Sequence, residues 1–137
     1  MFAGKEDSYP HTLLVFKERL FFVADDGKHD TELYQTDGTA AGTSLVKDIN
    51  PEGNSHAQGL VVYKGQLYFG ADDGKHGYEL WRSDGTAEGT FLVKNLTSGS
   101  EDSALGQLFV HTDGKLRFYL GKDIYETDGT AESVKKV

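Results

Sequence analysis

The chain of 137 residues has no cysteine, only two prolines and a single methionine. Without thiols it can form no disulfide, and it offers no thiolate to a metal or a redox couple. No run approaches the roughly 20 apolar residues that a membrane-spanning helix needs. The opening Met1-Phe2-Ala3-Gly4-Lys5-Glu6-Asp7 lacks the basic and apolar regions of a signal peptide. Basic charge is scarce too: 14 Lys and Arg stand against 22 Asp and Glu, a net charge of -8. A phosphate backbone or an anionic membrane surface would be repelled, so neither nucleic acid nor membrane insertion is expected.

Glycine and aromatic side chains are what the chain has in quantity: 17 Gly, eight Phe, seven Tyr and one Trp. That mixture favours short aromatic-rich strands joined by tight turns over helices. Shifting the sequence by 47 residues lays Lys17 on Lys64, Leu20 on Leu67 and Phe22 on Phe69. The same shift lays Ala24-Asp25-Asp26-Gly27-Lys28-His29 on Ala71-Asp72-Asp73-Gly74-Lys75-His76, and Glu32-Leu33-Tyr34 on Glu79-Leu80-Trp81. A third copy follows with Asp123-Ile124-Tyr125 and Thr127-Asp128-Gly129-Thr130, short of about five residues where the Asp-Asp-Gly-Lys-His-Gly loop would stand. The repeats run over about 1–46, 47–93 and 94–137.

Within the second repeat the pattern predicts strands at Gly59 to Tyr63, Leu67 to Ala71, Tyr78 to Arg82 and Thr90 to Leu96. Lys64-Gly65, Asp72 to Gly77 and Asp84 to Gly89 supply the glycines and aspartates that turns require. The strands are apolar on both faces, so each four-stranded antiparallel meander must be covered twice. A β-propeller provides such cover by stacking each blade between two others. The expected fold is therefore all-β, with three propeller blades in one domain spanning 1–137.

The repeat register sets Met1-Phe2 on Asp48-Ile49 and Val137 on Val46 and Val93, so both ends are expected inside an outermost fourth strand. Three blades do not readily close, and two copies joined head to tail would give a six-bladed ring. The alternative is a piece of a longer array, with Lys135 and Lys136 placing charge on an edge strand.

Glu79-Leu80-Trp81-Arg82-Ser83-Asp84-Gly85-Thr86 resembles without a departure the signature of the ELWxxDGT repeat family, found in tandem in large bacterial surface and secreted proteins. The first copy departs by Tyr34 for Trp. The third departs by Asp123-Ile124-Tyr125 and by Ser133-Val134 in place of Gly-Thr. The resemblance implies a propeller-like module at the cell surface or outside the cell, without defined catalytic residues or cofactor.

Asp25, Asp26 and His29, with their counterparts Asp72, Asp73 and His76, fall on the loop between the second and third strands. In propellers that loop opens on the face of the blade-to-blade connection. Carboxylates and imidazoles there could bind a glycan, and Asp25, Asp26, Asp72 and Asp73 could hold Ca²⁺; the Asp-Asp-Gly run is also a simple hairpin turn. The Asp37-Gly38, Asp84-Gly85 and Asp128-Gly129 pairs read as structural turns, with the carboxylate accepting backbone N–H bonds and glycine taking positive φ. Tyr34, Trp81 and Tyr125 share one repeat position and read as aromatic packing between blades. His11, His56 and His111 do not recur at the repeat interval. No nucleophile elbow, phosphate loop or zinc motif occurs. The expected function is a non-enzymatic module for protein or carbohydrate binding and self-assembly. A purely structural scaffold and a glycan-active hydrolase or lyase are the alternatives; against the last, Leu13-Leu14-Val15-Phe16 and Leu60-Val61-Val62-Tyr63, expected to be innermost, carry no acid.

Overall fold

The computed structural model describes residues 7–97 and 102–137, and among these there are strands and no helix. Strands β1 (His11–Phe16), β2 (Arg19–Asp25), β3 (Thr31–Thr36) and β4 (Ser44–Lys47) form one sheet. β5 (Gln58–Tyr63), β6 (Gln66–Asp72), β7 (Tyr78–Ser83) and β8 (Phe91–Lys94) form the second. β9 (Leu105–Val110), β10 (Leu116–Leu120), β11 (Asp123–Thr127) and β12 (Lys135–Lys136) form the third. Each sheet is an antiparallel meander in sequence order, so each repeat folds as one blade.

The first hairpins turn on Lys17-Glu18 (φ 50 and 61) and Lys64-Gly65 (φ 48 and 72). Two consecutive positive φ values make a primed turn, whose twist suits the flanking strands. In blade 3 the shortened connection leaves only Gly121-Lys122 between β10 and β11, with Gly121 at φ 62. That loss removes the polar loop and leaves the strand pairing from Leu116 with Thr127 to Leu120 with Asp123 intact.

Blades stack through their broad faces, with β1 against β5 and β5 against β9 on one side of the stack. Phe21, Val23 and Leu33 of blade 1 share a buried cluster with Leu67, Phe69 and Trp81 of blade 2. Tyr68, Leu80 and Val93 of blade 2 do the same with Leu108, Leu116 and Phe118 of blade 3. A fully buried side chain of this size contributes roughly 1.5–3 kcal/mol, so these two layers dominate the stability of the stack.

Three expectations need correction. The fourth strand of blade 2 ends at Lys94 and not at Leu96, because the Leu96 N–H turns to the buried Glu79 carboxylate instead of the sheet. Asp48 and Ile49 lie beyond β4, in the connection to blade 2, so their repeat phase is not that of a fourth strand; Met1 and Phe2, which share that phase, lie outside the described residues. Tyr34 does not pack between blades: it stacks on Phe22 of its own blade at 5.8 Å, as Tyr125 does on Phe118 at 5.9 Å, but its cluster holds only blade 1 residues, whereas those of Trp81 and Tyr125 span two blades.

Candidate functional site

Each β2–β3-type loop is a closed clip. In blade 1 the Gly27 N–H donates to Asp25 Oδ1 at 2.6 Å, and the Lys28 and His29 N–H groups donate to Asp26 Oδ1, both at 2.8 Å. Asp26 Oδ2 faces His29 Nδ1 at 2.6 Å. Blade 2 repeats the arrangement: Gly74 N to Asp72 at 2.7 Å, Lys75 N and His76 N to Asp73 at 2.9 and 2.8 Å, and His76 Nδ1 to Asp73 Oδ2 at 2.7 Å. Burial acts to raise Asp26, but hydrogen bonds from the His29 side chain and the His29 and Lys28 N–H groups outweigh it and hold the carboxyl below its ordinary range. Asp73 is lowered in the same way, with His76 the main opponent of its burial.

The six loop residues thus form two separate clips. Among the described residues no hydrogen bond or ion pair joins Asp25, Asp26 or His29 to Asp72, Asp73 or His76, and no three His, Asp or Glu converge on one cation-sized spot. The entering chain docks beside each clip, with Asp25 N–H on Ser8 O at 2.9 Å and Asp72 N–H on Ser55 O at 2.7 Å.

The blade 2 clip borders a cleft of about 440 Å³, lined by Lys47 at the end of β4, by residues 48–52 of the connection and by Asp73, Gly74 and Lys75. Trp81 lies at its base, only 5% exposed. The Trp81 Nε1–H and Asp48 Oδ1, on two of the residues that line it, are each buried without a hydrogen-bond partner. An indole N–H can only donate and an ionised carboxylate only accept, whereas a hydroxyl does both, so a hydroxylated molecule matches what this cleft leaves unmet. His11 and His56, which do not recur in the repeat, meet on a smaller cleft with Asn54 and Gln58.

The Asp-Gly-Thr turns are uniform. Asp37, Asp84 and Asp128 each accept with Oδ1 from the N–H and hydroxyl of the threonine two residues on, at 2.6–3.0 Å. Gly38, Gly85 and Gly129 have φ of 95, 98 and 106. A hydroxyl pair closes each hairpin at 2.7 Å: Thr36 with Thr43, Ser83 with Thr90, and Thr127 with Ser133. Ser133 keeps the last hairpin closed although Val134 stands at the usual threonine position.

Sequence reasoning missed Glu32 and Glu79, the first residues of the repeated motif. Both are 0% exposed. Glu32 accepts the N–H groups of Ile49 at 3.0 Å and Asn50 at 3.1 Å, and Glu79 accepts the Leu96 N–H at 2.8 Å and the Thr97 hydroxyl at 2.9 Å. Each carboxylate therefore pins the chain as it leaves for the next blade. Burial pushes Glu32 up to about 7 against the opposing Ile49 and Asn50 N–H bonds, and raises Glu79 likewise. The available signal was a glutamate recurring directly before the motif leucine in both intact copies.

No family model and no curated protein matches the chain. Among solved structures it is similar to an α-L-arabinofuranosidase from Clostridium thermocellum, at 14% identity and a TM-score of 0.51, over 93% of this chain and 53% of that one. The chain spans about half the length of that β-propeller enzyme. At such identity the likeness concerns the fold alone, and with three four-stranded antiparallel sheets stacked face to face it makes this an all-β chain of propeller blades.

Proposed function

We propose that the chain is a non-enzymatic propeller module that binds a carbohydrate, or a hydroxyl-rich protein surface, at the blade 2 cleft. The observation that carries the reading is that two residues lining that cleft each bury a polar atom without a hydrogen-bond partner, the Trp81 indole N–H and Asp48 Oδ1. Such pockets use a few placed polar groups to orient a ligand that an apolar wall desolvates. The carboxylates of the β2–β3-type loops are occupied by their own backbone, and β1, β5 and β9, which neighbour one another along one side of the stack, carry no Asp or Glu. Paired free carboxylates of the kind glycosidases use are therefore not what supports a role here. The resemblance to ELWxxDGT repeats favours work at the cell surface or outside the cell.

Trp81 is the sole tryptophan, so its fluorescence reports directly on the cleft. Titration with a panel of soluble glycans is expected to shift Trp81 emission for at least one class, with the response weakened by Asp48→Asn and unaltered by Asp113→Asn far from the cleft. A panel that leaves the emission unmoved sinks the reading. Turnover of a glycoside that is abolished by Asp25→Asn with Asp72→Asn would replace it with an enzyme.

A second reading, a structural scaffold, is favoured by the bonds between blades. Lys17 Nζ and Gln35 Nε2 of blade 1 donate to the Asp84 and Gly85 carbonyls of blade 2, at 3.2 and 3.3 Å. Lys64 Nζ and Arg82 Nη1 of blade 2 donate to the Asp128 and Gly129 carbonyls of blade 3, at 3.5 and 3.3 Å. Retained stacking in a variant that binds nothing would separate the two roles.

A further inference from the structure

The same three positions of blades 1 and 2 grip the turn of the blade that follows. A hairpin lysine (Lys17, Lys64) and a β3-type amide or guanidinium (Gln35, Arg82) donate to the carbonyls of the next Asp-Gly turn. A buried aromatic (Phe21, Tyr68) lies over its glycine: a Cβ at Gly85 would sit 3.2 Å from Phe21 Cζ, and one at Gly129 would strike the Tyr68 hydroxyl. A Cβ at Gly129 has no room beside that ring, and one at Gly85 would press on it.

Blade 3 inverts all three. Counting back from the leucine at or next to the start of each second strand, Lys17-Glu18-Arg19-Leu20 and Lys64-Gly65-Gln66-Leu67 align with Asp113-Gly114-Lys115-Leu116. Asp113 thus stands for the lysine, Arg117 for the aromatic, and Glu126 for Gln35 and Arg82. These residues bond to one another instead of reaching outward. Arg117 Nη2 donates to Asp113 Oδ2 at 2.6 Å and approaches Glu126 Oε2 at 3.5 Å, and Lys115 Nζ donates to Glu126 Oε1 at 2.6 Å. A turn carbonyl set against this face would find an acceptor, Asp113, where the lysine donor stood, and the cations beside it, Lys115, Arg117 and Lys135, already engaged by Glu126 and Asp113.

We infer that the outward face of blade 3 is a cap: Asp113, Arg117 and Glu126 close the stack to any further blade of the kind that blades 1 and 2 receive. The inference concerns this face alone and is independent of what the blade 2 cleft binds. Polar outer faces on terminal repeats are how stacked repeats avoid open-ended association. The head-to-tail ring expected from the repeat count would bring the Asp37-Gly38 turn of a second copy against this network, so the cap argues against that ring.

The test places a reporter on the face itself. Tyr119, 41% exposed, shares the outward side with Arg117, and the chain has no other thiol to compete with Tyr119→Cys. Its rate of modification by a maleimide is expected to be the same at every protein concentration, with a mass by light scattering near 15.0 kDa. Protection that grows with concentration, together with a doubled mass, overturns the cap. In the same background the triple variant Asp113→Lys, Arg117→Tyr, Glu126→Arg restores the three grips. It is expected to associate and to protect Cys at 119; a folded triple variant that stays a monomer with an unprotected thiol overturns the assignment of these three residues. Should that variant fail to fold, Asp113→Lys with Glu126→Arg keeps Arg117 and answers the same question.

Discussion

Glu32 accepts the backbone N–H of Ile49 at 3.0 Å, tying the third strand of blade 1 to a residue seventeen positions on, in the connection to blade 2. Glu79 holds Leu96 in the same way at 2.8 Å. The first residue of each intact motif is therefore a staple between one blade and the path to the next.

Glu79→Ala removes the acceptor of the half-buried Leu96 N–H and is expected to cost about 1–3 kcal/mol, the cost of one unsatisfied polar group. Urea unfolding followed by Trp81 fluorescence measures it. A loss no larger than that of an exposed substitution such as Glu88→Ala would rule the staple out.

The same buried carboxylates make stability depend on pH. Glu32 in the fold has its pKa raised to about 7 from an ordinary 4.5. Between those values the folded chain holds a proton that the unfolded chain has lost, so the contribution is present below about 4.5 and fades as pH rises through 7. Its slope is at most about 1.4 kcal/mol per pH unit. Unfolding curves at stepped pH are expected to show this decline in the parent and a flatter profile in Glu32→Gln.

Gly129→Ala and Gly38→Ala separate strain from contact. Both positions have positive φ, which costs an ordinary residue about 1–2 kcal/mol. Nothing lies within 4 Å of a Cβ at Gly38, whereas one at Gly129 meets Tyr68. The Gly129 variant is therefore expected to lose more stability in thermal melts, and Tyr68→Phe should recover part of that difference. Equal losses would mean that Tyr68 does not lean on this turn.

Asp73→Asn keeps the shape of the blade 2 clip but removes the charge that His76 Nδ1 and two N–H groups address. A loss of about 1 kcal/mol is expected, with faster hydrogen exchange confined to Lys75 and His76. Because Asp73 is lowered from its usual 3.8 in the fold, its contribution is present above that value and disappears in acid. Unchanged exchange in the variant would show that the backbone alone shapes the loop.

Much of the fold was legible because the repeat is nearly unbroken over two copies. The 47-residue shift located the blades, and Asp84-Gly85-Thr86 announced its turn through residue types that few other conformations use together. Asp25, Asp26, Asp72 and Asp73 were legible as a loop and illegible as clips, since the direction of a carboxylate follows from the φ values of its neighbours. Glu79 was hidden because a glutamate in a strand is more often a solvated residue than a buried acceptor, and only the path of the following connection shows which it is.

The sequence by itself determined the number of blades, their four-strand order and the glycines at their turns, because each rests on local backbone preference and on the period of apolar residues. Tertiary structure alone decided which face of each blade meets another. It turned Lys64, Tyr68 and Arg82 outward onto the next turn and folded Asp113, Arg117 and Glu126 onto one another, because partners far apart in the chain become acceptors or competitors only once the sheets are stacked.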